Sequence, residues 1–424
     1  MIPTVLVAAS VALARCLAAV RLQRWQLGAP AVMATAGILF GLAVEHSVAE
    51  ALDTEIAQHV AEIILAFLLF VDATEVKGGR LWGNSPGLVA RMLLLALPLG
   101  LGAAMLLGAA LYPDLGWGLL LVVGCVVVPI DFAPSENIVR DRRLSSRVRS
   151  VLNVESGYND GIVSPVFLFG LLLAGSAHSV HTPLDALTTA VSQALKAVLV
   201  GVLLGGLVAW LMQRAAQAGW TSPQSRRLAV LLTPLVAYAT AVEIGGNGFV
   251  TAFVCGIAFR YVHRVIIARR IHRTSDPQRG RARTATAFSQ DFGTLEDVTT
   301  LMTMTMWFVV GLAAVVAFTD GVSWQAAVFC FAALTVLRIV PVFVSLLGTS
   351  LPRRDRLLLG LLGPRGTTTI VFGLIAYNDL PLGPSADAVL LITVLCVLGS
   401  VLLHGVGADA VVGRLGTKAA DRPS

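Results

Sequence analysis

The sequence predicts an all-α polytopic membrane protein of about 13 transmembrane helices, built as two inverted six-helix repeats with two broken helices, spans 5 and 12. Three observations predict it. Apolar stretches follow one another along the whole chain. Basic residues fall in every second loop. One span in each half is interrupted by proline and holds one charge at mid-depth.

The chain has 424 residues, 56% hydrophobic and 13% charged, and a mean hydropathy of +0.80. A soluble domain carries roughly 25% charged residues. A spanning helix needs about 20 apolar residues, so the length accommodates about a dozen spans with short loops. A soluble enzyme, a nucleic-acid binder and a disordered chain are excluded. The net charge of +6 does not point to nucleic acid, because the placement of the basic residues follows the loops.

Hydropathy places the spans at about 2–20, 29–46, 59–76, 86–111, 116–134, 149–174, 186–212, 226–243, 247–262, 298–318, 322–349, 355–377 and 386–411. The opening MIPTVLVAAS lacks a basic n-region and a small-residue cleavage site, so it is expected to be a first span and not a removed leader. The even-side loops carry Arg21 and Arg24, Lys77 and Arg80, Arg140 to Arg147, Arg226 and Arg227, and Arg353 to Arg356. The alternate loops carry Glu50, Asp53, Asp114, Asp185, Asp320 and Asp379, with no Lys or Arg. By the positive-inside rule the N-terminus is expected outside and the C-terminus in the cytoplasm. Segment 263–297 is expected as a basic cytoplasmic loop. It reads either as a topology anchor on anionic lipid or as a regulatory element containing His263 and His272. Cys16, Cys125, Cys255, Cys330 and Cys396 are scattered in apolar stretches without metal-ligand spacing, and read as small buried hydrophobes.

An odd span count makes spans 1–6 and 8–13 enter from opposite sides. The fifth span of the first half reads VVVPIDFAPS, with Pro129 and Pro134 flanking Asp131. The fifth span of the second half reads LLGPRGTTT, with Gly363, Pro364 and Gly366 around Arg365. Proline removes a helical hydrogen bond, and in lipid the freed carbonyls need a partner, such as a cation or a charged side chain. Paired broken helices in corresponding positions point to a transporter site.

An ionisable group at the bilayer centre costs about 2.5–3.5 kcal/mol on insertion scales. This chain has Asp72, Asp131, Glu155, Asp160, Lys196, Arg338 and Arg365 there. Span 6 holds the densest cluster, NVESGYNDGIVS. Glu155 and Asn159 share one face and Ser156 and Asp160 the adjacent one, so one helix presents two carboxylates, an amide and a hydroxyl. Hard cations prefer such oxygen ligands. Gly157 and Gly161 would let this helix approach the broken span 5 and bring Asp131 near Asp160. Glu155 reads equally as a ligand or a structural partner. Arg338 reads as structural. Arg365 could neutralise either helix C-terminal carbonyls or a carboxylate. Lys196 could simply snorkel, Glu243 lies near the outer end of span 8, and Glu136 and Asp141 lie near the inner surface. Asp131 and Asp160 are the two read as functional. The chain has no HExxH, no phosphate-cradling loop and no GxSxG, so it is expected to be neither a pump driven by ATP nor an enzyme, and to need no cofactor.

The segments VPIDFAPSENIVRD, LNVESGYNDGIVSPVFL, GNGFVTAFVCGIAF and GLLGPRGTTTIVFGL resemble the signature segments of monovalent cation:proton antiporters, in the NhaP-type branch that includes the animal sodium/hydrogen exchangers. The resemblance runs from Pro30 to Gly405. It implies crossing broken helices, a homodimer and an elevator-like alternating-access motion. It further implies dimerisation helices over 1–80 and 215–321, core helices over 81–178 and 322–411, a linker helix over 179–214, and a cytoplasmic tail over 412–424. By resemblance the cation- and proton-binding set is Asp160, Asp131, Asn159, Ser156 and Asp72, with the Ile130 carbonyl. Asp160 and Asp131 are the residues that hold the monovalent cation. Glu155 and Arg338 match the core ion pair, and Arg365 the charge of the second break. Relatives usually read Thr-Asp-Pro where this chain has Ile130-Asp131-Phe132, so a threonine hydroxyl is missing.

The expected function is secondary antiport of a monovalent cation, Na⁺ first and K⁺ or Li⁺ as alternatives, against H⁺. It is expected to be electroneutral and to operate in the plasma (inner) membrane of a prokaryote, with ions, protons, lipid and a second copy as partners. The rivals are K⁺/H⁺ exchange at the same site, and a channel or sensor on the same fold.

Overall fold

The computed structural model describes residues 2–25, 27–44, 55–75, 82–83, 85–132, 138–139, 141–175, 182–271, 277–319, 321–381 and 383–415. Among them regular structure is entirely helical. In a chain this apolar, helices satisfy their own backbone polar groups within one segment.

The helices are α1 (Ile2–Leu17), α2 (Ala19–Arg24), α3 (Ala29–Ala43), α4 (Glu55–Glu75), α5 (Pro86–Arg91), α6 (Leu97–Leu111), α7 (Trp117–Val127), α8 (Ser146–Ala174) and α9 (Pro183–Gln217). They continue as α10 (Pro223–Glu243), α11 (Gly248–Ile271), α12 (Pro277–Ala317), α13 (Trp324–Leu334), α14 (Val336–Ser345), α15 (Arg353–Leu361), α16 (Thr367–Asp379), α17 (Pro384–Ser400) and α18 (Gly407–Leu415). Among the described residues eight helices are long and apolar enough to cross a membrane, while the apolar helices Pro3–Leu17, Ala29–Ala43 and Trp117–Val127 are shorter. The count of 13 stays an expectation.

The chain divides into two compact units. The first comprises Met1–Ala61, Val76–Ala186 and Thr303–Ser424. Within it α8 packs along α7, α17 along α13 and α16, and α6 along α7. A Cβ on Gly118 would sit 2.6 Å from the Ala174 nitrogen, so α7 and α8 touch backbone to backbone there. The second unit comprises Glu62–Glu75 and Leu187–Met302. Its core gathers Phe67, Phe70, Phe259, Phe292 and Leu295, with the Phe70 and Phe259 rings edge to face at 6.0 Å.

The structure differs from the sequence expectation in several places. Segment 263–297 is helical on both sides of residues 272–276: α11 runs on to Ile271 and α12 starts at Pro277. Hydropathy marks where a helix leaves the apolar layer, not where its hydrogen bonding stops. His263 is buried, 3.0 Å from the Gln213 amide and stacked on Phe259. His272, Pro134, Glu136 and the tail beyond residue 415 lie outside the described residues. Span 11 is interrupted at Thr335, between α13 and α14. A π turn, Met92–Ala96, joins α5 to α6 ahead of Pro98, which has no N–H to continue the α pattern. Cys16 is exposed, whereas the other four cysteines are buried. Lys196 is exposed, and its ammonium donates to the Ile244 and Gly245 carbonyls at 3.1 and 3.4 Å, at the C-terminal end of α10. Glu243 is exposed.

Candidate functional site

The site lies in the first unit, where two unwound segments meet. Helix α7 ends at Val127, ahead of Pro129, and residues 128–132 run on without helix. Helix α15 ends at Leu361, and residues 362–366 are unwound through Pro364 before α16 begins. The Asp131 N–H donates to the Pro364 carbonyl at 2.9 Å. Gly363 permits this closeness: a Cβ there would meet Arg338 Nε at 3.0 Å and Ile130 Cγ2 at 3.2 Å.

Asp131 is half-buried, and its Oδ2 accepts the N–H of Thr368 at 3.3 Å. Thr368 stands in the first turn of α16, so the carboxylate faces the positive end of a helix dipole. Asp160 is 3% exposed, and its Oδ1 accepts no hydrogen bond among the described residues. The Thr368 side chain lies beside the Asp160 carboxyl, and Asp131 and Arg365 lie within electrostatic reach of it. Asn159 donates through Nδ2 to the Ile130 carbonyl at 2.8 Å, while its Oδ1 accepts the Asp160 N–H at 2.7 Å. Ser156 stands one helical turn before Asp160 on the same face and is half-buried.

Arg365 is 1% exposed. Its Nε donates to the Val127 carbonyl, at the end of α7. Its Nη1 reaches the Gly363 carbonyl at 2.8 Å and its Nη2 the Ala333 carbonyl at 3.2 Å, beside the break at Thr335. Of the two partners open to it from the sequence, it takes carbonyls, at breaks where helices end. These are the negative ends of helix dipoles. Its backbone N–H donates to Ser400 Oγ at 2.7 Å.

Glu155 and Arg338 form a buried two-pronged pair, Nη1 to Oε1 and Nη2 to Oε2, the second at 2.9 Å. Arg338 Nη2 also donates to the Leu359 carbonyl at 3.2 Å. This pair cancels its own charge. Asp131, Asp160 and Arg365 remain, two formal negatives against one positive. A monovalent cation or a proton neutralises that excess of one, and the donor set is carboxylate, carbonyl and hydroxyl oxygen, which suits a hard cation.

Asp72 is half-buried on the part of α4 that belongs to the second unit.

The family model described as sodium/hydrogen exchanger, transmembrane, matches residues 7–413. The chain belongs to the sodium/hydrogen exchanger family. It is therefore a multi-pass membrane protein. The K(+)/H(+) antiporter NhaP2 of Shewanella oneidensis is 27% identical over 259 residues, 61% of this chain and 41% of that protein. The Na(+)/H(+) antiporter of Schizosaccharomyces pombe is 26% identical over 208 residues, 48% of this chain and 44% of that protein. The chain thus spans less than half the length of these curated relatives in the matched region. The fold is similar to that of the sodium proton antiporter MjNhaP1 from Methanocaldococcus jannaschii, with a TM-score of 0.70 at 17% identity, covering 95% of this chain and 99% of that one.

Within this exchanger-family fold, the structure adds three features the sequence reading did not single out. Thr368 donates its N–H to Asp131 and stands beside Asp160. Ser400 and His404 extend the polar path behind Arg365, with His404 Nε2 3.2 Å from the Leu361 carbonyl. Thr335 opens span 11 and exposes a carbonyl that Arg365 takes up. The run of three threonines after the PRG break was the one visible signal, because a polar run at the start of an apolar helix has no packing reason to be there.

Proposed function

We propose that this chain is a secondary active transporter that exchanges a monovalent cation for H⁺ by alternating access. The observation that carries the reading is the Asp160 carboxyl, buried where two broken helices meet, with one oxygen taking no protein donor among the described residues. A proton or a cation fills the same place, so the two compete. The neighbour of Asp160 is Asn159, which cannot ionise, and one cation then replaces one proton without net charge movement. Ser156, the Ile130 carbonyl and Asp72 complete the proposed ligand set.

Na⁺ is the proposed cation, supported by the family and by the all-oxygen donor set. K⁺ is a second reading, favoured by the NhaP2 relatives, which are named K(+)/H(+) antiporters. The protein is proposed to work as a homodimer in the plasma (inner) membrane of a prokaryote, with its N-terminus outside and C-terminus in the cytoplasm. The contact between copies is assigned to helices of residues 1–80 and 215–321, and the moving core to 81–178 and 322–411.

The test is flux in proteoliposomes with an internal pH dye under an imposed ΔpH. Na⁺, Li⁺ and K⁺ are added in turn. Cation-dependent recovery of the dye signal supports exchange, and the order of the cations assigns the substrate. A conductance without coupled proton movement would mean a channel, and no response to any cation would sink the reading.

A further inference from the structure

We propose that Thr368 is a specificity-determining residue of the ion site, its hydroxyl serving as a neutral oxygen ligand of the cation held between Asp131 and Asp160. The inference rests on the exchange reading above and names a ligand that the reading does not contain.

The first break is poor in donors. Residues 128–132 are Val, Pro, Ile, Asp and Phe, so Asp131 is the segment's single oxygen-bearing side chain. The Ile130 carbonyl already accepts from Asn159. Beside two carboxylates and one partly used carbonyl, the Ser156 hydroxyl is then the single neutral side-chain ligand for a small cation, and Asp160 Oδ1 is buried with no donor among the described residues.

The second break supplies what is missing. Thr368 is 3% exposed. Its N–H, fixed by the first turn of α16, donates to Asp131 Oδ2 at 3.3 Å. Its side chain lies beside the Asp160 carboxyl. A hydroxyl that donates one hydrogen bond keeps two lone pairs, so Thr368 can hold Asp160 and face the cation together. The two roles are separable in chemistry. The amide positions Asp131 and survives any substitution except proline. The hydroxyl is lost in Thr368→Val, which is nearly isosteric, and kept in Thr368→Ser.

The experiment reads binding and transport independently. Purified wild type, Thr368→Val and Thr368→Ser are titrated with NaCl, LiCl and KCl against choline chloride, following cation-dependent thermal stabilisation, and the same proteins are assayed for exchange in vesicles from pH 5.5 to 9. Thr368→Val is expected to raise the half-saturating Na⁺ concentration about fivefold, the weight of one hydroxyl interaction. Its Na⁺/K⁺ preference narrows. The acid limb of its pH profile moves to higher pH, because the proton meets less competition from a more weakly held cation. Its melting temperature in choline stays that of wild type, and Thr368→Ser stays within about twofold of wild type in every readout. Thr368→Ala replaces the valine variant if that one does not fold. A Thr368→Val protein with wild-type affinity, preference and pH profile overturns the inference and leaves the exchange reading standing. So does a serine variant as impaired as the valine one. Hydroxyl-dependent cation binding without cation-dependent flux would support the ligand and overturn the exchanger. Neither binding nor flux in the folded wild type overturns both.

Discussion

The side-chain amide of Asn159 on α8 donates to the main-chain carbonyl of Ile130 at 2.8 Å, across 29 residues of sequence. The carbonyl is one that the break after α7 sets free, and the amide is 1% exposed. A buried acceptor left without its donor costs about 1–3 kcal/mol. Asn159→Ala is therefore expected to lower the melting temperature of the purified protein and to loosen the break. Unchanged thermal stability and unchanged exchange would show that the bond holds nothing together.

Asp160→Asn and Asp131→Asn are each expected to bring exchange to background while the protein still folds. Both keep the side-chain shape and remove the charge that a cation or a proton neutralises. The check is vesicle flux beside a gel-filtration profile. Wild-type flux from Asp160→Asn would remove that residue from the site. Asp72→Ala is expected to be milder and to act on cation affinity.

Glu155 and Arg338 are expected to behave as a structural pair. Removing one partner of a buried ion pair costs about 3–5 kcal/mol. Single neutral substitutions should each destabilise the protein, and Glu155→Gln with Arg338→Met should recover much of the loss. Recovery stays incomplete because Arg338 also serves the Leu359 carbonyl. A thermal-stability cycle measures the coupling, and a double variant whose loss equals the sum of the two singles would contradict it.

Proton and cation are expected to compete at Asp160. The apparent cation affinity then weakens as pH falls, by about tenfold per pH unit in the acid limb, and levels off in alkali. Exchange of one for one moves no net charge, so a clamped membrane potential leaves the rate unchanged. A cation affinity flat from about pH 5 to 9, or a net current, is the outcome that rules out competition at a single site.

Composition, hydropathy and the alternation of basic loops were enough to read a polytopic helical membrane protein, because transfer from water to an apolar layer is a local, additive property of each segment. The breaks were legible for the same reason. Proline and glycine act on their own backbone, so Pro129 and the GPRG run announce themselves without a neighbour. What stayed hidden depended on residues distant in sequence. Arg365 had two chemically reasonable partners, and only the approach of Val127, 238 residues away, with Ala333 decided for carbonyls. The interruption at Thr335 carries no proline to mark it. The helical course of α11 and α12 through most of 263–297 escaped a hydropathy reading, because backbone hydrogen bonding continues where apolarity ends. Thr368 was one of three like residues in a row. The crossing of the two breaks singled it out, since the first turn of α16 donates the Thr368 N–H to Asp131 and brings its side chain beside Asp160.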